Sequence, residues 1–280
     1  MSAMLYLVPT PIGNLGDISQ RCRETLEAAD FIAAEDTRVT LKLLNHLGIK
    51  KSLVSYYEHN KAAQGSRIVE RILGGETCAL VSDAGSPAIS DPGEDLVKQC
   101  AAAGIPVCAI PGPCAAITAL SISGQATGRF CFEGFLSTAK KSRREHLESL
   151  KSEQRTMIFY EAPHKLLTTL ADMAEVFGGD RPLSLCRELT KLHEEVVRTT
   201  LSEAMARYTE NPPKGEFVLI VAGAKPEEKE IPSETDAAAR LAELIAQGLS
   251  RKDAVKQAAK ELGLSKNAVY EIALKDSEKE

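Results

Sequence analysis

Three turn-rich stretches hold the residues best placed to do chemistry: PTPIGNLGD at 9–17, SDAGSPAISDPG at 82–93 and PGPCAAITAL at 111–120. Each follows a short apolar run with the length of a strand. Proline and glycine let backbone amides and carbonyls, rather than long side chains, face a ligand. Loops that leave the carboxyl ends of strands in an open parallel sheet line the ligand crevice, so three of them predict one shared cleft. The common alternatives for a cleft of this kind are missing. The chain has no GxGxxG, no GxxxxGK[ST] and no GxSxG, which argues against a P-loop NTPase, a dinucleotide enzyme of the glycine-fingerprint type and an α/β hydrolase.

The elements that must carry these loops can be read from apolar periodicity. Leu5–Val8, Phe31–Ala34, Leu53–Ser55, Cys78–Val81 and Val107–Ile110 are strand candidates separated by helix-period segments, the pattern of a parallel α/β sheet. Asp91-Pro92 with Glu94 marks a helix start, and Gly104 marks that helix's end. After a helix near 113–123, strands are expected at Thr156–Tyr160, Leu183–Arg187, Glu195–Thr200 and Glu216–Ala222, with helices near 142–151, 164–176 and 201–208. Consecutive strands at 183–200 without an intervening helix predict a mixed sheet.

Lys225–Ser233 is charged, carries two prolines and lacks apolar periodicity, so it is expected to be a linker. Beyond it, Asp236–Gln247, Arg251–Leu262 and Lys266–Lys275 are expected as three short helices. Ser250 and Ser265 cap the last two, and Gly248 and Gly263 stop the first two. Leu244, Ile245, Ala254, Val255, Ala258, Leu262, Leu264, Val269 and Ile272 suit the core of a small bundle, and 258–274 has the form of a helix-turn-helix. The expected division is therefore an N-terminal α/β domain at 1–113, a second α/β domain at 114–224 and a C-terminal helical domain at 233–280.

With 280 residues the chain exceeds a single core of roughly 100–150 residues. Its 44% hydrophobic and 26% charged content is that of a soluble globular protein. The first apolar run is too short for a signal segment, so a cytoplasmic protein that needs no membrane is expected. Seven cysteines without a CxxC pair suggest reduced thiols, and five histidines without a ligand-type spacing give no reason to expect a metal. The net charge of −5 means that any nucleic acid must be held by local basic patches. Candidates are Lys140, Lys141, Arg143 and Arg144 at a helix start, where cations oppose the helix dipole, and Arg251, Lys252, Lys256, Lys260, Lys266 and Lys275 in the C-terminal bundle.

LYLVPTPIGNLGDIS at 5–19, AAEDTR at 33–38, VSDAGSPAISDPG at 81–93, PGPCAAITAL at 111–120, FYEAPH at 159–164, RELTK at 187–191 and KGEFVLIV at 214–221 together resemble the tetrapyrrole-methylase-like methyltransferase superfamily. Within it the chain is most similar to the bacterial branch that methylates a cytidine 2′-hydroxyl in small-subunit ribosomal RNA. That resemblance implies two α/β domains with S-adenosylmethionine in the cleft between them, a homodimer, and ribosomal RNA or the assembled small subunit as partner. Carried over by position, the cofactor contacts are Pro11, Ile12, Asp83, Gly85, Ser86, Cys114, Ala115, Tyr160, Arg187 and Phe217. The first loop here begins Pro9-Thr10-Pro11 where small-molecule members are glycine-rich, which argues against a tetrapyrrole substrate.

A ribose hydroxyl is a poor nucleophile near neutral pH, so a group must accept its proton. Under this resemblance Glu35, Asp36, Glu161 and Glu188 are the acidic candidates, while Arg38, Arg187 and Lys191 can orient phosphates or stabilise developing charge. Plainer roles stand beside these. Asp36 suits a helix cap, Glu188 an ion pair with Arg187 or Lys191, and Asp83 a brace for its own turn. Two other functions compete: methylation of a corrin or porphyrin precursor, and a nucleic-acid-binding regulator whose α/β part senses a small molecule.

Overall fold

The computed structural model describes residues 3–225 and 233–277. Apart from its two ends, the expected linker lies outside the described residues. The chain forms two compact units, Met1–Ala224 and Lys225–Glu280.

In the first unit, β1 (Leu5–Leu7), α1 (Gln20–Ala28), β2 (Phe31–Ala34), α2 (Thr37–Leu47), β3 (Ser52–Ser55), α3 (Lys61–Leu73), β4 (Cys78–Val81), α4 (Gly93–Ala102) and β5 (Val107–Ala109) follow in order. The strands make one all-parallel sheet, β3-β2-β4-β1-β5. Period-two alternation sends successive residues of β2 and β4 to opposite faces. Ile32, Ala34, Ala79 and Val81 join Cys22, Leu26, Leu43, Leu44 and Leu47 of α1 and α2. Phe31, Ala33, Cys78 and Leu80 join Ile68, Ile72, Leu96 and Cys100 of α3 and α4. Both faces are thus covered, which is why these strands are continuous apolar runs.

The second half contains α5 (Ala115–Ser123), β6 (Phe130–Phe135), α6 (Lys140–Ser149), β7 (Thr156–Glu161), α7 (Leu166–Phe177), β8 (Pro182–Arg187), β9 (Glu195–Thr200), α8 (Leu201–Glu210) and β10 (Phe217–Val221). Its sheet, β6-β7-β10-β8-β9, is mixed: β6 and β7 are parallel and the other pairs antiparallel. One face packs on α6, α7 and α8 through residues such as Leu147, Leu170, Met173 and Leu201. The other packs on α5 through Ala116, Ala119 and Leu120, and Ile12 of the first loop joins that cluster. β6 is absent from the sequence expectation. It is an edge strand, and its register with β7 shifts between Phe132 and Gly134.

The second unit contains α9 (Glu234–Ala246), α10 (Arg251–Leu262) and α11 (Lys266–Ser277). Ser250 Oγ accepts from the Asp253 N–H and Ser265 Oγ from the Ala268 N–H, the expected caps. Gly263 stops α10 in the left-handed region at φ 65°. Leu241, Leu244, Ala254, Val255, Ala258, Ala259 and Val269 form its core, whereas Ile245, expected there, is 41% exposed. Among the described residues no helix is long and apolar enough to cross a membrane.

The basic cluster at the start of α6 is not the exposed patch expected of it. Arg143 is buried: its Nε donates to Asp172 Oδ2 at 2.6 Å, and its Nη1 to the carbonyls of Ser137 and Thr138 at 3.2 Å each. Arg144 pairs with Glu175. Arg143 therefore ties α6 to α7, and Lys141 makes only a long, exposed ion pair with Glu145 at 3.9 Å. Removing one partner of a buried ion pair strands the other, at a cost of roughly 3–5 kcal/mol. Arg143→Ala should lower the unfolding free energy by about that amount in denaturant titration, and Arg144→Ala by less than about 1 kcal/mol. Equal effects would show that burial does not separate the two pairs.

Candidate functional site

β4, β1 and β5 are neighbours in a parallel sheet, so the loops that follow them leave from one edge. The loops are bonded to each other. Thr10 and Gly85 exchange backbone hydrogen bonds at 3.0 Å in both directions. Thr10 Oγ1 donates to the Ser82 carbonyl at 3.2 Å, and Ser86 Oγ to the Pro113 carbonyl at 2.9 Å. Gly85 sits at φ 86°, and an added Cβ would stand 3.2 Å from Ile12 Cγ2, so both backbone angle and space favour glycine there.

These loops and the second sheet enclose a cavity of about 500 Å³. Its lining includes Ile12, Asp83, Gly85, Ser86, Cys114, Ala115, Tyr160 and Phe217 from the expected cofactor contacts, and Glu35 and Glu161 from the expected acidic candidates. Pro11 instead lines a neighbouring cavity of about 260 Å³, which shares Ser82 and Asp83 with the larger one. Arg187, Asp36, Arg38, Glu188 and Lys191 line neither.

Those outlying residues have visible structural work. Asp36 caps α2: its Oδ1 accepts from the Arg38 N–H at 2.8 Å, and the Arg38 guanidinium, which hydrogen-bonds it, pulls its pKa down to about 2. Arg187 donates to Glu195 at 3.2 Å. Glu188 accepts from Lys191 Nζ at 2.9 Å and from the Glu216 N–H at 3.0 Å, and these two bonds hold its carboxyl below the usual range. Burial works against the Lys191 charge, but its bonds to Glu188 and Glu216 prevail and keep it raised.

Inside the cavity the chemistry is acidic and aromatic. Asp83 Oδ1 accepts from the Asp36 N–H at 3.1 Å, so it braces the AAEDTR loop as well as its own. Burial, then the nearby Asp83, Asp91 and Asp36 carboxylates, push Glu35 above its ordinary value. The Tyr160 hydroxyl accepts the Ala116 N–H at 3.1 Å, and burial raises its pKa to about 12. Phe132 and Phe135 pack on the Tyr160 ring at 5.1 and 5.4 Å between centroids. Glu161 is buried and takes up the Ala162 N–H at 2.9 Å and the Thr169 hydroxyl.

Ile89, Ser90, Phe135, Ala162, Leu189 and Glu216 also line the cavity and are not among the residues expected from the sequence. A signal for Phe135 existed in the alternation of Phe130 and Phe132 that precedes it.

Carboxylates suit a sulfonium and an ammonium, while Tyr160, Phe135 and the α5 N-terminus at Cys114–Ala115 suit a nucleoside and a carboxylate. The wall chemistry thus fits S-adenosylmethionine, and the volume falls within the usual range of roughly 300–1,000 Å³ for such ligands.

The fold and this cleft define a methyltransferase of tetrapyrrole-methylase architecture, and comparison with known proteins agrees. The family model for Tetrapyrrole (Corrin/Porphyrin) Methylases matches residues 4–205, and that for the RsmI C-terminal HTH domain matches residues 232–277. Among solved structures, uroporphyrin-III-C-methyltransferase from Thermus thermophilus has a TM-score of 0.56 at 20% identity, covering 78% of this chain and 94% of its own. Diphthine synthase has a TM-score of 0.60 at 14% identity, covering 78% of this chain and 90% of its own. Proteins called ribosomal RNA small subunit methyltransferase I match at far higher identity. The one from Synechocystis sp. is 50% identical over 97% of both chains, and that from Halalkalibacterium halodurans is 51% identical over 96% of this chain and 93% of its own. The chain belongs to the ribosomal RNA small subunit methyltransferase I family.

Asp83→Ala removes a charged acceptor that organises two loops, and Ala115→Leu adds bulk to the cavity wall. Each should weaken S-adenosylmethionine binding by about tenfold or more in calorimetry, the equivalent of about 1.4 kcal/mol. Wild-type affinity in folded samples of both variants would remove this cavity as the cofactor site.

Proposed function

We propose that this protein transfers the methyl group of S-adenosylmethionine to the 2′-hydroxyl of a cytidine in small-subunit ribosomal RNA, acting as a homodimer in the cytoplasm. The observation that carries this reading is the extent of the match. Relatives bearing the ribosomal RNA name align with 97% of the chain, including the second unit, whereas the tetrapyrrole family model ends at residue 205. A compact tetrapyrrole needs no added helical unit. A regulator reading leaves unexplained a large cleft whose carboxylates and aromatic wall suit a sulfonium nucleoside.

The cofactor supplies a methyl on a cationic sulfur: an oxygen lone pair forms the new O–C bond as the C–S pair departs with sulfur, and the hydroxyl proton must go elsewhere. The chain's contribution is placement, since an in-line displacement gains most from holding the reacting atoms near ~3–3.5 Å. Ser82, Asp83 and Gly85 fix the loop beside the first loop. Of the acidic candidates Glu35, Asp36, Glu161 and Glu188, only Glu35 and Glu161 line the large cavity; the Glu161 carboxylate is buried and already accepts from the Ala162 N–H and the Thr169 hydroxyl, so we assign Glu35 the role of proton acceptor. Its raised pKa makes it a stronger base than an exposed glutamate. The second unit, with Lys252, Lys256, Lys260 and Lys266 exposed, serves to dock RNA.

In cells lacking the gene, mass mapping of small-subunit ribosomal RNA should show one cytidine ribose without its methyl group. The full chain should restore the mark, while a chain ending at Ala224 should bind S-adenosylmethionine normally yet restore it poorly. An unchanged RNA methylation pattern in the deletion strain would refute the ribosomal RNA assignment.

Because the base works only when deprotonated, kcat/KM should fall as the pH drops through the Glu35 pKa, with the acid limb above 4.5, the ordinary glutamate value. Glu35→Gln should abolish that limb and lower kcat by about 10²–10⁴-fold, a loss well beyond any accompanying loss of cofactor affinity. An unchanged pH profile in this variant would move the role to another group.

A further inference from the structure

The smaller cavity of about 260 Å³ lies against α2 and the first loop, and shares Ser82 and Asp83 with the large one. The smaller space therefore borders the cofactor cavity, where an acceptor has to be. Leu15 and Val39, 44% and 39% exposed, offer apolar surface to a flat ring. The space is below the range of roughly 300–1,000 Å³ typical of drug-sized ligands, which suits one nucleobase and not a macrocycle.

Its rim is basic. Arg38, Lys42 and His46 recur every four residues along α2, one above another on a single helix face about 6 Å apart. All three are exposed, and the Arg38 side chain is 87% accessible although it pairs with Asp36. Arg38 lies in the first turn of α2, where the helix dipole disfavours a cation and its bonds to the Asp36 cap offset that cost, yet its side chain stays open to solvent. The cations Arg38 and Lys42, with the His46 imidazole as a further hydrogen-bonding group, mark a place for polyanion on a chain of net charge −5.

We propose that this second cavity receives the acceptor nucleotide. Its base, turned out of the RNA stack, lies against Leu15 and Val39, while Arg38, Lys42 and His46 hold the neighbouring backbone phosphates. The inference rests on the ribosomal RNA reading above, and adds to it the place where the RNA strand enters.

Small ribosomal subunits purified from cells lacking the gene provide the substrate for the test. The double variant Lys42→Gln/His46→Gln should raise KM for subunits by about tenfold while kcat falls far less, and should reduce the slope of log K against log salt by about 1–2. Val39→Trp, which fills the cavity, should lower kcat/KM by about tenfold or more. S-adenosylmethionine affinity should stay within about twofold of wild type in both, since neither change touches the large cavity's lining. Wild-type KM and salt slope in both variants would overturn the proposal, as would a loss of cofactor affinity matching the loss of activity. Wild-type protein that methylates no subunits would instead overturn the ribosomal RNA reading, and this inference with it.

Discussion

The site hangs from the adjacency of β4, β1 and β5 in one parallel sheet. Parallel pairing aims all three carboxyl ends at the same edge, so the turns that follow must share a space. The paired Thr10 and Gly85 backbone hydrogen bonds then fix the first two loops, and Ser86 Oγ on the Pro113 carbonyl adds the third. From the other sheet, Tyr160 closes the assembly by accepting the Ala116 N–H at the start of α5. These ties are mostly to main-chain atoms. Side chains at the cavity wall can therefore be chosen for the ligand while the frame is held by the backbone.

The frame stores strain where it meets the cavity. The four non-glycine residues at positive φ among those described, Ala88, Ser90, Glu188 and Thr190, all lie in segments that contribute cavity-lining residues. Each such backbone costs of order 1–3 kcal/mol and persists only if neighbours hold it. Asp91 Oδ1 does so in one segment by accepting from the Ala88 and Gly93 N–H groups at 3.0 and 2.7 Å. In the other, Glu194 accepts from the Thr190 N–H at 2.6 Å, and Glu188 is bonded through both its backbone and its carboxylate to Glu216. Glu188, Lys191 and Glu216 thus clamp the RELTK segment to the start of β10, and the Asn14 N–H, donating to Thr190 Oγ1 at 3.1 Å, ties it to the first loop. At Gly13, a Cβ would come within 2.6 Å of Lys191 Cγ.

The sequence disclosed the first sheet well because its strands are buried on both faces, leaving Phe31–Ala34 and Cys78–Val81 as unbroken apolar runs. Loop positions were equally legible, since Pro and Gly mark them directly. β6 was not, because an edge strand tolerates Glu133 within it and a shift in register before Gly134, which together erase its periodicity. With β6 went Phe135. The cluster at 140–144 shows a different limit: whether an arginine is solvent-facing or buried depends on a partner such as Asp172, 29 residues away in sequence. Asp36 shows a third limit. Its sequence context suits a cap and a catalytic acid equally, and only its bonds to Arg38 and its distance from the lining separate these roles.

Charge links cofactor and RNA in one further way. The large cavity gathers Glu35, Asp83 and Asp91, which favour a cationic methyl donor over the neutral product left once the methyl has gone. The same carboxylates repel phosphate, and within a Debye length of about 8 Å that repulsion is felt. An RNA strand brought there must then be held by cations outside the acidic space. α2 carries such cations in Arg38 and Lys42, with His46 one turn further on. Attraction at the rim and repulsion inside act on different parts of one nucleotide. In the proposed acceptor site the uncharged base and ribose would enter while the phosphates stay outside, the orientation that presents a ribose hydroxyl to the donor.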